Sequence, residues 1–284
     1  VQYTFFTNGD CSGTGTDAGL KTLVNGVAPQ SDTQGPLAPG DYSFEAQYLS
    51  GSDPNYSDSA VSSCEPFTVN KAQLTATTKV HDSSHTDITN SSVALGSVVH
   101  DTAKLSGVVA GYTPAAITFA FYSQADCGGS PTAVANTGAD QGDATAVRSA
   151  ASAALDAGSY SYKASVAGDA NYLGDDSDCE NFTVNKAQLT ATTKVHDASH
   201  TDITNSSVAL GSVVHDTAKL SGLVTGKTPA AITFAFYSQA DCGGDAVAVA
   251  NIGADEGDNT ADRSAASAAL DAGAYSYKAS VAGD

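Results

Sequence analysis

The chain has 284 residues, with 12 Lys plus Arg against 31 Asp plus Glu, a formal net charge of −19, no Met and no Trp. That length holds two or three domains of about 100–150 residues, and the acidity excludes the basic footprint of a nucleic-acid binder and argues against docking on an anionic membrane surface. No run approaches the roughly 20 apolar residues of a membrane-spanning helix, so no membrane insertion is expected of this segment, and no basic stretch followed by an apolar one marks a signal peptide.

In chain order, the strand signal of period two recurs throughout. Tyr42-Ser-Phe44-Glu-Ala46 alternates first, then Leu74–Val80 and Val99–Leu105. Ile117-Thr-Phe119-Ala-Phe121 alternates large apolar with small residues, Tyr160–Val166 does the same with its polar set outward, and Phe182-Thr-Val184 closes the series. Gly, Asp, Asn and Ser clusters separate these runs, as turns require. The Ala-rich Ser149–Leu155 has helix-forming residues, but its place between two strand signals favours a strand or an irregular crossing.

These elements belong to a repeat. Asn185–Asp284 copies Asn70–Asp169 at a shift of 115, with 12 differences over 100 positions. A diverged copy precedes them: Val1–Cys11 (VQYTFFTNGDC) aligns with Ile117–Cys127 (ITFAFYSQADC), and Ser62–Gln73 with Asp176–Gln188. The period is too long for a solenoid unit of about 20–50 residues and suits a whole domain. Three domains are therefore expected: residues 1–69 lacking its first strands, residues 70–184 complete, and residues 185–284 lacking its last strand. The ends are expected to cut through repeats of a longer chain. About seven short strands per unit suggest a two-sheet sandwich.

Leu37-Ala-Pro-Gly40-Asp-Tyr42 recurs as Leu155-Asp-Ala-Gly158-Ser-Tyr160 and Leu270-Asp-Ala-Gly273-Ala-Tyr275. A Tyr opening a strand just after a Gly turn suits a tyrosine corner, in which the hydroxyl returns to backbone a few residues upstream; Tyr42, Tyr160 and Tyr275 are the candidates. The five Cys are spaced 53 and 52 apart within copies, which pairs Cys11 with Cys64 and Cys127 with Cys179 and leaves Cys242 to a partner beyond the last residue. Free buried thiols are the alternative. Isolated Cys without a Cys-x-x-Cys do not make a zinc site, and disulfides imply an oxidising compartment.

The string Leu155-Asp-Ala-Gly158-Ser-Tyr160, then Gly168-Asp-Ala-Asn171-Tyr172, then Phe182-Thr-Val184 resembles the bacterial Ig-like repeat domains of large surface and secreted proteins. The first copy keeps a variant, Ser50-Gly-Ser-Asp-Pro-Asn55-Tyr56. The departures are Val166-Ala-Gly in place of Tyr-Ser-Gly, and the Cys pair. The resemblance implies an all-β fold of tandem immunoglobulin-like β-sandwich domains in an extended array, an extracellular or cell-surface location, and a role as stalk, spacer or adhesin segment. Some arrays of this kind carry Ca²⁺ at domain junctions, which makes Asp169, Asn171, Asp175, Asp176 and Asp178 candidate oxygen ligands, although their spacing is not that of an EF-hand loop and a solvated turn is the favoured reading. Some also carry Lys–Asn isopeptide bonds, for which Lys71, Lys104 and Lys163 are candidates by residue type alone.

No other chemistry is expected. His81-Asp82-Ser83-Ser84-His85 has the letters of a hydrolase triad, but triad members converge from separate segments. The six His occupy three positions per repeat, His81, His85 and His100, then His196, His200 and His215; they read as polar surface residues, with a transition-metal site as the alternative. Asn55, Asn90, Asn181 and Asn205 open glycosylation sequons. No enzyme and no cofactor is expected beyond the possible Ca²⁺. The functions in play are a stalk, adhesin segment or filament; a module binding carbohydrate or protein; and a non-catalytic spacer of a secreted enzyme. Expected partners are neighbouring Ig-like domains of the same chain, with self-association into fibres by strand addition.

Overall fold

The computed structural model describes residues 1–283; Asp284, the last position of the third expected domain, lies outside the described residues. The chain forms two compact units, one of Val1–Thr89, His100–Ala151 and Tyr160–Asn181, the other of Asn90–Val99, Ser152–Ser159 and Phe182–Asp284. The structure is all-β: among the described residues the only helical element is a three-residue 3-10 turn at Ala125–Cys127.

Strands β1 (Gln2–Phe6), β2 (Thr16–Leu20), β3 (Gly40–Gln47) and β4 (Glu65–Val69) form one antiparallel sheet in the order β2-β1-β3-β4. Its apolar face packs Phe5 against Phe44 as a tilted pair with ring centroids 5.1 Å apart, and stacks Tyr42 on Phe67 at 5.6 Å. The next stretch supplies β5 (Ala72–Gln73), β6 (Thr75–Asp82), β7 (Ser92–Val93), β8 (Val99–Ser106), β9 (Ile117–Tyr122), β10 (Thr132–Val134), β11 (Asn136–Ala139), β12 (Val147–Ser149), β13 (Gly158–Val166), β14 (Tyr172–Leu173), β15 (Asp175–Asp176) and β16 (Glu180–Val184). In the first unit, one sheet runs β11-β12-β8-β6. In the other, β9 lies between β10 and β13, and β15 pairs with the end of β13. Ala103 of the first sheet, Ile117 and Phe119 of β9, and Ala164 and Val166 of β13 share one buried core with Leu74 and Tyr172. That shared core makes the pair of sheets a β-sandwich.

Strand β6 buries Ala76, Thr78 and Val80 and turns the residues between them outward, the alternation its sequence shows. Strand β8 buries five consecutive residues, Val99 to Ala103, because both its faces are covered. Ser149 ends β12, and the Ala-rich segment after it is irregular.

The second unit repeats the pattern with β17 (Thr190–Asp197), β18 (Val214–Ser221), β19 (Ile232–Tyr237), β20 (Val247–Val249), β21 (Asn251–Ala254), β22 (Asp262–Ser264) and β23 (Ser276–Val281). The sheets run β17-β18-β22-β21 and β20-β19-β23, with Ala218, Ile232 and Phe234 buried between them.

Disulfides join Cys11 to Cys64 and Cys127 to Cys179, each with Cα atoms 5.8 Å apart; Cys242 has no disulfide partner among the described residues. Tyr42 Oη donates to the Ala38 carbonyl at 2.8 Å and Tyr275 Oη to the Asp271 carbonyl at 3.1 Å, both four residues upstream. Tyr160 stacks on Phe121 as Tyr275 stacks on Phe236, at 5.6 and 5.4 Å.

Candidate functional site

Four chain segments meet at one end of the β8-containing sheet. In the second unit the register sets His196, near the end of β17, directly opposite His215 on β18. His200 lies in the turn that follows β17, closed by its own N–H donating to the Asp197 carbonyl at 3.0 Å. Asp255 follows β21, in the turn leading to β22. The first unit places His81, His85, His100 and Asp140 at the corresponding positions. Both turn histidines have φ of +60°, a left-handed conformation uncommon outside glycine, in which Asn, Asp and His are the commonest exceptions.

The acidic residue is fixed by its own loop. Asp140 Oδ2 accepts the backbone N–H of Gly142 at 2.8 Å and of Asp143 at 3.1 Å, and Asp255 Oδ2 accepts those of Gly257 and Asp258 at 2.9 and 3.1 Å. That leaves Oδ1 turned inward. His85 Nδ1 lies 3.7 Å and His100 Nε2 3.9 Å from Asp140 Oδ1. In the second repeat His200 Nδ1 and His215 Nε2 stand 3.3 and 3.5 Å from Asp255 Oδ1. The ligating atoms of His85, His100 and Asp140 lie within 4.8 Å of one another, as do those of His196, His215 and Asp255.

The cluster is buried and unsatisfied. His100 and His215 are each 5 % exposed, and Asp140 and Asp255 are 8 and 3 % exposed. Yet His85 Nδ1, His100 Nε2 and Asp140 Oδ1 have no hydrogen-bond partner, and neither do His196 Nδ1, His200 Nδ1, His215 Nε2 and Asp255 Oδ1. Each buried polar atom left so costs about 1–3 kcal/mol. Burial, then the neighbouring His85, lowers the pKa of His100 to about 4, and burial, then His200, lowers that of His215. Burial opposes ionisation of Asp140 and Asp255, but the two loop N–H groups and the adjacent imidazoles outweigh it and hold both carboxyls below the usual carboxylate range. At neutral pH His100 and His215 are therefore neutral, and Asp140 and Asp255 are carboxylates. The first opens on a cleft of about 390 Å³ that Thr77, Lys79 and Lys104 also line; the second opens on one of about 200 Å³ beside Arg263.

This corrects the reading of the histidines as surface residues: His100 and His215 are interior. Asp140 and Asp255, which complete the clusters, carry no sequence signal, since each sits in a Gly- and Asp-rich turn like any solvated one. The triad-like letters around His85 form no triad, because Asp82 Oδ1 accepts the N–H groups of Ser84 and Thr86 at 2.8 and 2.9 Å and so shapes the turn.

The acidic Ca²⁺ candidates are not brought together. Asp169 Oδ1 accepts the N–H groups of Asn171 and Tyr172 at 2.7 and 2.8 Å, Asp175 Oδ2 accepts that of Ala76 at 2.9 Å, Asp176 pairs with Lys163 at 3.2 Å, and Asp178 is exposed. The isopeptide candidates are turned to other partners: Lys71 donates to the Asp169 carbonyl, Lys104 pairs with Asp143 at 3.5 Å, and Lys163 pairs with Asp176. Of the sequon residues, Asn55, Asn90 and Asn205 are exposed. The Asn181 amide is engaged, accepting from Asp126 N and donating to Asp126 Oδ1, both at 2.7 Å.

No protein-family model matches the chain, and no curated protein matches it. Among solved structures it is similar to the C-terminal domain of the AgI/II polypeptide BspA of Streptococcus agalactiae, at 11% identity and a TM-score of 0.27 over 67% of this chain and 83% of that one.

Proposed function

We propose that this chain is a segment of an extracellular structural array, a stalk, adhesin segment or filament built from Ig-like domains at 1–69, 70–184 and 185–284. The observation that carries the reading is the near-identical sandwich repeated at a shift of 115 with almost no connecting chain. β4 ends at Val69 and β5 begins at Ala72; β16 ends at Val184 and β17 begins at Thr190. Connections this short and free of Gly and Pro limit bending between neighbours. Two disulfides support an oxidising, extracellular setting. The acidic surface keeps such an array soluble and resists non-specific association.

Small-angle X-ray scattering of the 284-residue chain tests the array. A compact globule of this length has a radius of gyration of about 19 Å, and the array is expected well above that. A value near the compact one defeats the reading. Electron microscopy of the native particle then separates fibres assembled by strand addition from single extended segments.

A further inference from the structure

We propose that each of the two near-identical repeats binds one divalent first-row transition-metal ion, of which Zn²⁺ is the best fit, on its histidine–aspartate cluster. The ligands are His85, His100 and Asp140 in one repeat and, in the next, His215 and Asp255 joined by His196 and by His200, the counterpart of His85. Two observations carry this independently. The first is convergence: atoms from separate segments reach one point in both repeats, within 4.8 Å of one another. The second is that these atoms are buried without hydrogen-bond partners, on His100, Asp140, His215 and Asp255 side chains that are themselves more than nine-tenths buried.

The donor set selects the ion. Imidazole nitrogen with a carboxylate oxygen suits Zn²⁺, Ni²⁺ or Cu²⁺, whereas Ca²⁺ and Mg²⁺ require oxygen ligands throughout. Zinc bonds of about 2.0–2.1 Å place tetrahedral ligands about 3.3–3.4 Å apart. The nitrogen-to-Oδ1 distances of 3.3 and 3.5 Å in one repeat already match that edge, and 3.7 and 3.9 Å in the other need a closure of a few tenths of an ångström. Asp140 and Asp255 arrive pre-oriented, each with Oδ2 held by two backbone N–H groups, which is how protein scaffolds aim a ligating oxygen.

The two sites are graded. Glu256 Oε2 stands 3.5 Å from His200 Nε2, the nitrogen opposite the one facing Asp255, and Arg263 holds the other oxygen of Glu256 at 3.2 Å. A carboxylate behind a ligating imidazole fixes its tautomer and raises its basicity. The first repeat has Gln141 at that position, one of the few places where the repeats differ. The site with Glu256 is therefore the tighter.

The test is titration of the untagged, chelator-stripped chain with Zn²⁺ at neutral pH, read by isothermal calorimetry and native mass spectrometry, with Ca²⁺ in parallel. Two Zn²⁺ per chain are expected, with Ca²⁺ failing to occupy the same sites. Asp140→Asn should weaken the first site and Asp255→Asn the second by at least about 100-fold, and Glu256→Gln should bring the second site down about 10-fold toward the first. His85→Ala and His200→Ala, at less buried positions, repeat the test should an Asn variant fail to fold. Absence of Zn²⁺ binding at micromolar concentration overturns the proposal. So does full two-ion binding by the Asp140→Asn/Asp255→Asn double variant, which would mean adventitious capture by other side chains. Equal affinity with and without Glu256 overturns the grading.

Discussion

Asp101 and Asp216 lie in strands β8 and β18 with no exposed surface and with both carboxylate oxygens unpartnered. Burial raises the pKa of Asp216 to about 7, and burial, reinforced by Glu180, raises that of Asp101 well above the usual value. Below pH about 4 the carboxyl is protonated in both folded and unfolded chains, and this burial carries no ionisation penalty. Between about 4 and 7 the unfolded chain ionises while the folded Asp216 stays protonated, so stability falls as pH rises; above that it levels off. The expected loss is on the order of 4 kcal/mol. Urea unfolding in the presence of chelator should show this decline, and Asp216→Asn should flatten it and be more stable than the parent at pH 8. An unchanged pH slope in that variant would show that Asp216 is ionised in the folded chain.

The same pair of strands shows where the sequence stops being informative. The alternation in Thr75–Asp82 marks its buried face, and the spacing of Cys127 and Cys179 matches the bond between them. His100, Asp101 and Thr102, three polar residues in a row between Val99 and Ala103, do carry a signal, since a strand buried on both faces has no solvent side for any of them. Asp140 carries none, because its role depends on Oδ1 being left over once Oδ2 has closed its own loop, and that is a property of three-dimensional hydrogen bonding. The near-identity of the repeats adds nothing, since every residue is repeated whether or not it acts.

At the scale of the element, the end of β8 depends on one backbone position. Gly107 has φ of +81°, and a Cβ there would stand 2.1 Å from the Gln73 carbonyl oxygen, while Gly222 has φ of +85° and the same relation to Gln188 at 2.3 Å. Gly111, at φ of +88°, has open space where its Cβ would be. Gly111→Ala therefore meets only the left-handed backbone cost, about 1 kcal/mol. Gly107→Ala adds a collision with backbone and is expected to cost at least about 2 kcal/mol more. Thermal melts of the two variants side by side isolate the collision; equal losses would mean that the segment around Gln73 yields freely.

For the molecule as a whole, stability is divided unevenly. Loops of 53 and 52 residues are closed by Cys11–Cys64 and Cys127–Cys179, each worth about 4 kcal/mol in the chain-entropy picture. The last repeat has Cys242 without a disulfide partner among the described residues. Reductant should therefore lower the unfolding transitions of the first two repeats and leave that of the third in place, as differential scanning calorimetry can resolve. A uniform shift of all transitions would show that the repeats unfold as one cooperative body.

Strands β6 and β17 have the same eight residues, as do β8 and β18, and β9 and β19 share all six. The β6–β8 pairing of one sandwich is thus available, residue for residue, to β17 and β18 of the next, and β9 can stand in for β19. Side-chain chemistry cannot tell a native hairpin from one exchanged between neighbours, and tandem domains are prone to that error. Correct assembly then rests on timing: a repeat that closes its core while its successor is still being synthesised has no rival strand to choose.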